Sequence, residues 1–191
     1  ESSLQSALFP DNVPVDVYDN LITAVRESLP SVHHYLDVRR RRMGLSDIHQ
    51  YDTYVPILSN IEKHHTWDQA SEVVLQSLAP LGSEYTGVLA EGLSGRWCDR
   101  YPNRGKQSGA FSCGSFDGDP FILMNFKEQV LNDVFTLTHE AGHAFQVYSS
   151  RHLEIKEYNW PTYEACEIHS MSMEFFTWPW MHLFFKEDTE K

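Results

Sequence analysis

The chain has 191 residues, 41% of them hydrophobic and 13% aromatic, and carries a formal net charge of -12. That length and apolar content suffice for a substantial buried core in one domain or a domain and a half. The negative charge argues against nucleic acid and anionic membranes as main partners, since both would repel it.

No apolar run approaches the ~20 residues needed to span a bilayer, and the start Glu1-Ser2-Ser3-Leu4 lacks the regions of a signal peptide. Cys98, Cys113 and Cys166 are odd in number and unclustered. They fit free thiols in a reducing compartment, so a cytoplasmic location is expected. The sequence starts without Met and stops at Glu187-Asp188-Thr189-Glu190-Lys191, a charged stretch after an aromatic one, and reads as part of a longer chain.

In chain order, residues 11–14 read as a turn and residues 15–29 have helical spacing through Val17, Leu21, Ile22, Val25 and Leu29. Pro30 and Ser31 restart a second helix over 32–43, closed by Gly44, so a helical hairpin is expected. The basic run Arg39 to Arg42 reads as a solvated helix end that favours the dipole, in preference to an anion site. His33-His34 and His64-His65 are adjacent pairs that point apart on a helix, a poor metal arrangement. Residues 51–58, with Pro56 inside, read as extended. Thr66, or more weakly Asn60, would cap a helix with Ala70, Val73, Val74, Ser77 and Leu78 on one face, ending before Pro80. A further helix over 83–91 closes at Gly92 and Gly95.

From Trp97 the texture changes to a polar, Gly-containing loop. Two strand-like runs, 110–114 and 121–125, flank a turn at Asp117-Gly118-Asp119-Pro120 and predict a small antiparallel hairpin. Its edge could take an extended peptide as an added strand, or the hairpin could be purely structural. The pair Gly105-Lys106 lacks the full spacing of a phosphate loop.

Next comes His139-Glu140-Ala141-Gly142-His143, within the run 133–149. Histidines four apart project from the same face of a helix, so two imidazoles can share one zinc ion with Glu140 beside the open position. Val130, Val134, Leu137, Ala141 and Tyr148 form an apolar stripe, and Leu131, Phe135 and Phe145 add apolar character elsewhere, so the helix is expected to be buried on most sides. Buried imidazoles and a carboxylate need partners, which a metal would supply. Gly142 points to a close approach, by a strand, a substrate or a packed helix.

A catalytic zinc takes three protein ligands and keeps one site for water, so a third ligand is expected downstream. Pro161 opens a helix running toward Thr177, on which Glu164, Glu167, Met171 and Glu174 share a stripe amid aromatic neighbours. Among Glu154, Glu157, Glu164, Glu167 and His169, Glu164 is the first candidate and Glu167 the second, the latter as a ligand or as a residue orienting a ligating histidine. The plain alternative is that these glutamates face water and favour the helix dipole.

The runs 137–146 and 161–175, with Tyr51-Asp52-Thr53-Tyr54-Val55-Pro56, Tyr101-Pro102-Asn103-Arg104-Gly105-Lys106 and Ser108-Gly109-Ala110-Phe111, resemble the oligoendopeptidase F group of the thimet-oligopeptidase-like zinc peptidases. The resemblance covers most of the chain. It implies that His139 and His143 are zinc ligands, Glu140 the general base and Glu164 the third ligand. It also implies one Zn2+ per chain and a substrate cleft lined by strand 109–113, including Gly109, Ala110 and Phe111. Members are longer, with helical regions before and after the matched part; the later one carries a His and a Tyr that stabilise the oxyanion.

The expected fold is mainly α: a multi-helix, zincin-like catalytic core with a small antiparallel β-hairpin or sheet beside the HExxH helix. Residues 1–95 would be mainly helical, 96–128 loop and hairpin, and 129–191 the zinc-binding helices, all part of one catalytic domain. The expected function is zinc-dependent hydrolysis of internal bonds in short peptides, with Glu140 taking the proton of the attacking water. The competing reading is a non-catalytic zinc-binding helical module or inactive fragment, with a closed four-ligand site.

Overall fold

The computed structural model describes residues 2–57, 64–115 and 118–185, and among these every side chain except that of Glu164. The chain divides into two units, Glu1–Ile61 and Glu62–Lys191.

In the first unit, α1 (Ser3–Leu8) starts from a capping box in which Ser2 and Gln5 satisfy each other's backbone N–H. A 3-10 turn, Phe9–Asp11, ends at Asn12, whose left-handed φ of 55° suits a short amide side chain. Helix α2 then runs unbroken from Val15 to Arg42. The predicted helical hairpin is therefore corrected: Pro30 lies inside one helix. Pro30 denies a hydrogen bond to the carbonyl of Arg26, but both residues are exposed, so water can take that acceptor.

The basic run is a helix end with Arg41 and Arg42 exposed, as expected, but it is corrected at its first residue. Arg39 is buried, and its Nη2 donates to the carbonyls of Asp52, Thr53 and Val55 at 3.1, 3.1 and 2.7 Å. Those carbonyls are turned inward by a 3-10 segment, Gln50–Tyr54, where an extended run was expected. The backbone N–H of His49 donates to the Asp52 carboxylate at 2.7 Å, a local bond that favours the turn. Extended backbone begins only at Val55, and Leu58 lies outside the described residues.

In the second unit, α3 (Trp67–Ser77) has the expected Thr66 cap, completed by Gln69. Helix α4 (Ser83–Ser94) runs past Gly92, an interior residue covered by the Trp97 ring, and ends at Gly95. The expected hairpin is present: β2 (Phe111–Cys113) pairs antiparallel with β3 (Phe121–Leu123), with Ser112 opposite Ile122. The two-residue β1 (Cys98–Asp99), too short to leave a pattern, adds in parallel to the other side of β3. The order β1-β3-β2 makes a mixed sheet with β2 at an edge. Asp117 of the expected turn lies outside the described residues.

Helices α5 (Leu131–Ser150), α6 (Tyr163–Thr177) and α7 (Met181–Phe184) complete the unit. One core joins Trp67, Val74, Leu78, Leu93, Ile122, Phe126, Leu137, Met173 and Phe184. Helix α5 crosses this core, packed by α6 on one side and by β2 and β3 on another, which is why it is buried nearly all round. The fold is mainly α with a small sheet beside the HExxH helix, as expected. No helix among the described residues is long and apolar enough to cross a membrane.

Candidate metal centre

Helical spacing brings His139 and His143 to one face of α5, with their Nε2 atoms 3.1 Å apart. From α6, Oε2 of Glu167 lies 3.2 Å from the first and 3.6 Å from the second. Tetrahedral zinc with bonds of about 2.0–2.2 Å has donor-to-donor edges of about 3.3–3.6 Å, and the sides of this triangle lie within about 0.2 Å of that range. Among the described residues it is the one group of three His, Cys, Asp or Glu side chains with donor atoms all within 4.8 Å of one another.

Gly142 permits this meeting of helices. A Cβ there would stand 2.9 Å from Cα of Ser170 and 3.0 Å from Cγ of Met173. The close approach anticipated from the sequence is thus helix on helix, α5 on α6.

Burial and charge set the state of each group. Glu140 is 6% exposed, its Oε2 has no hydrogen-bond partner, and burial pushes its carboxyl up to about 7. His143 is buried, and desolvation first, then His139, hold its pKa below the usual histidine value. Glu167 goes the other way: Ser170 Oγ donates to its Oε2 at 2.8 Å and keeps the carboxyl below its ordinary range. His169 packs edge-on against His143 with ring centroids 5.3 Å apart, and burial lowers its pKa as well. His143 is thus inclined to be neutral and the Glu167 carboxylate to be charged. With His139 they make a group of donor atoms of the kind a divalent cation takes.

Of the residues expected to form the site, His139, Glu140, His143 and Glu167 lie together. The side chain of Glu164 lies outside the described residues. Glu167 faces the Nε2 atoms of both histidines, the ligand side of those rings. Sequence reasoning missed two contacts. Ser170 donates to Glu167, and Glu174 Oε1 sits 2.7 Å from Nδ1 of His139. The signal for the second was present, since Glu174 is two turns beyond Glu167 on the same stripe.

Gly109, Ala110 and Phe111 lead into the edge strand β2, which packs along α5. Asn125 Nδ2 donates to the carbonyls of Gln107 and Gly109, at 2.9 and 2.8 Å, and so braces the entry to the strand. A cavity of about 570 Å³ opens there, lined by Ser108, Gly109 and Ala110 and by Val130, Asp133 and Thr136 at the start of α5. Its lining along α5 reaches Thr136, one turn before His139.

A histidine pair four residues apart, a carboxylate facing both rings and a buried glutamate beside them, on a mainly helical core with a small sheet, make the HExxH arrangement that metallopeptidases use. The chain belongs to peptidase family M3, whose family model matches residues 1–191. It is 41% identical over 176 residues to an oligoendopeptidase F homolog of Borreliella burgdorferi, a match covering 91% of this chain and 30% of that protein. It is 40% identical over 151 residues to oligopeptidase PepF of Bacillus subtilis, covering 79% of this chain and 22% of that protein. A solved structure of PZ peptidase A with an inhibitor superposes with a TM-score of 0.82 at 39% identity, over 97% of this chain and 34% of that one. The chain thus spans about a third or less of each of these relatives.

Proposed function

We propose that the protein is a zinc endopeptidase acting on short peptides, with His139, His143 and Glu167 as the metal ligands. The observation that carries this reading is the 3.1, 3.2 and 3.6 Å triangle of Nε2, Nε2 and Oε2 atoms, with Glu140 buried next to it. When bound, zinc supplies a Lewis acid that brings the pKa of its water to near 7 and polarises a carbonyl. Glu140 takes a proton from the attacking water and delivers it to the nitrogen of the breaking amide. A C–O bond thus forms and the C–N bond breaks without a covalent link to the protein. The low dielectric around Glu140 keeps that proton within the site.

The substrate lies along the outer edge of β2, which pairs with no other strand among the described residues and whose backbone groups hold a peptide of any sequence by strand addition. The cavity beside Gly109 and Ala110 receives one end of it.

The full-length protein carrying Glu140→Gln tests this reading. Zinc content should stay at about one per chain, while cleavage of an internally quenched peptide falls about 10²–10⁴-fold, the usual worth of a general base. Undiminished cleavage would refute the mechanism. Bound zinc without cleavage in the full-length wild type would instead mark a structural metal that ties α5 to α6. For the third ligand, Glu167→Ala should lose zinc and Glu164→Ala keep it; the reverse result would move the ligand role to Glu164.

A further inference from the structure

We infer that Glu174 is the positioning residue for the centre: its carboxylate holds the His139 ring so that Nε2 faces His143 and Glu167. The inference rests on the ligand set proposed above.

The contact is direct. Oε1 of Glu174 lies 2.7 Å from Nδ1 of His139, the length of a charge-assisted bond. Because the carboxylate can only accept, Nδ1 carries the proton and Nε2 keeps its lone pair for the cluster. Both events follow from one hydrogen bond.

Helix geometry explains why Glu174 reaches His139. Gly142 meets Ser170 where α5 and α6 cross. One turn back along α5 from Gly142 is His139, and one turn on along α6 from Ser170 is Glu174. These are neighbours if the helices run antiparallel, and the 2.7 Å contact shows that they are. Glu167, one turn back from Ser170, meets the opposite side of the His139 ring, with its Oε2 3.2 Å from Nε2. Two glutamates of one stripe thus grip one imidazole by its two nitrogens.

The two histidines differ in this respect. Nδ1 of His143 is buried and has no hydrogen-bond partner, so packing against His169 and α6 must hold that ring. The His139 side chain is 23% exposed, so packing alone holds its ring less firmly and the bond matters more.

The test measures zinc affinity in the full-length protein, by competition with a chromophoric chelator, for wild type, Glu174→Gln, Glu174→Ala and Glu167→Ala. Thermal melting of each metal-free form is measured alongside. Glu174→Ala should bind zinc about 10–100-fold more weakly, the usual effect of removing such a partner. Glu174→Gln keeps the shape and an acceptor but not the charge, so it should fall between wild type and Ala with an unchanged metal-free melt. That split separates positioning from a role in holding the fold. Wild-type affinity in both Glu174 variants, with zinc lost in Glu167→Ala, would overturn the positioning role and leave the ligand set standing. Zinc retained in Glu167→Ala would overturn the ligand set and this inference with it.

Discussion

Helices α2 and α5 are the two longest in the chain, and each carries apolar residues at helical spacing, yet they live in different surroundings. In α2, Val17, Leu21, Val25 and Val32 are 53, 62, 55 and 48% exposed, and Arg39 is its only buried residue. In α5, Val134, Leu137, Ala141, Ala144 and Val147 are all buried, together with Thr138, Glu140 and His143. An apolar period therefore reports that a helix has a face to cover, and says nothing about what covers it. Only α5 is held by α3, α6 and the sheet, and only α5 can keep polar groups at fixed separations. The contrast also explains why α2 tolerates Pro30: its backbone there is wet, whereas a proline in α5 would orphan a buried carbonyl.

The largest test of the contrast is a pair of identical truncations. Leu137→Ala removes a fully buried side chain and should cost about 2–5 kcal/mol. Leu21→Ala, at a position 62% exposed, should stay within about 0.5 kcal/mol. Urea unfolding of the 191-residue chain measures both. Equal costs would mean that the α2 stripe is covered in solution and would erase the distinction.

Arg39 is the exception within α2. Its side chain supplies hydrogen bonds to three inward carbonyls, so Arg39→Ala should cost about 1–3 kcal/mol by leaving them unpaired. Arg41, paired with Asp37 on the surface, is the control, and Arg41→Ala should cost well under about 1 kcal/mol. Indistinguishable unfolding midpoints for the two variants would show that the three bonds add nothing.

How much of this was legible in the sequence follows the same line. The HExxH pair, the Thr66 cap, the hairpin and the reach of α6 to Thr177 are written in local spacing, and local spacing is what helices and turns obey. Strand β1 was not legible, because two residues leave no alternation. The burial of Arg39 was hidden because a run of four arginines gives no sign of which one faces carbonyls thirteen or more residues away. Glu174 was within reach only as a member of a stripe, and Ser170 left no signal. Their roles depend on how closely α6 approaches α5, a distance set by packing at Gly142 that appears in no periodicity.

That approach gives the smallest test and the one closest to the site. Gly142→Ala adds a methyl 2.9 Å from Cα of Ser170, backbone that cannot swing aside, and 3.0 Å from Cγ of Met173. Overpacking of this kind costs about 1–3 kcal/mol, while alanine returns about 1 kcal/mol of helix propensity, so the net loss should be about 1 kcal/mol. Gly87, in α4, has nothing within 4 Å of its Cβ position, so Gly87→Ala should gain up to about 1 kcal/mol from propensity alone. The opposite signs, read from thermal unfolding, isolate the helix contact from the backbone effect. If α6 moves outward to admit the methyl, Glu167 and Glu174 move with it. Gly142→Ala should then bind zinc more weakly than its small loss of stability would suggest, and Gly87→Ala should bind it as wild type does.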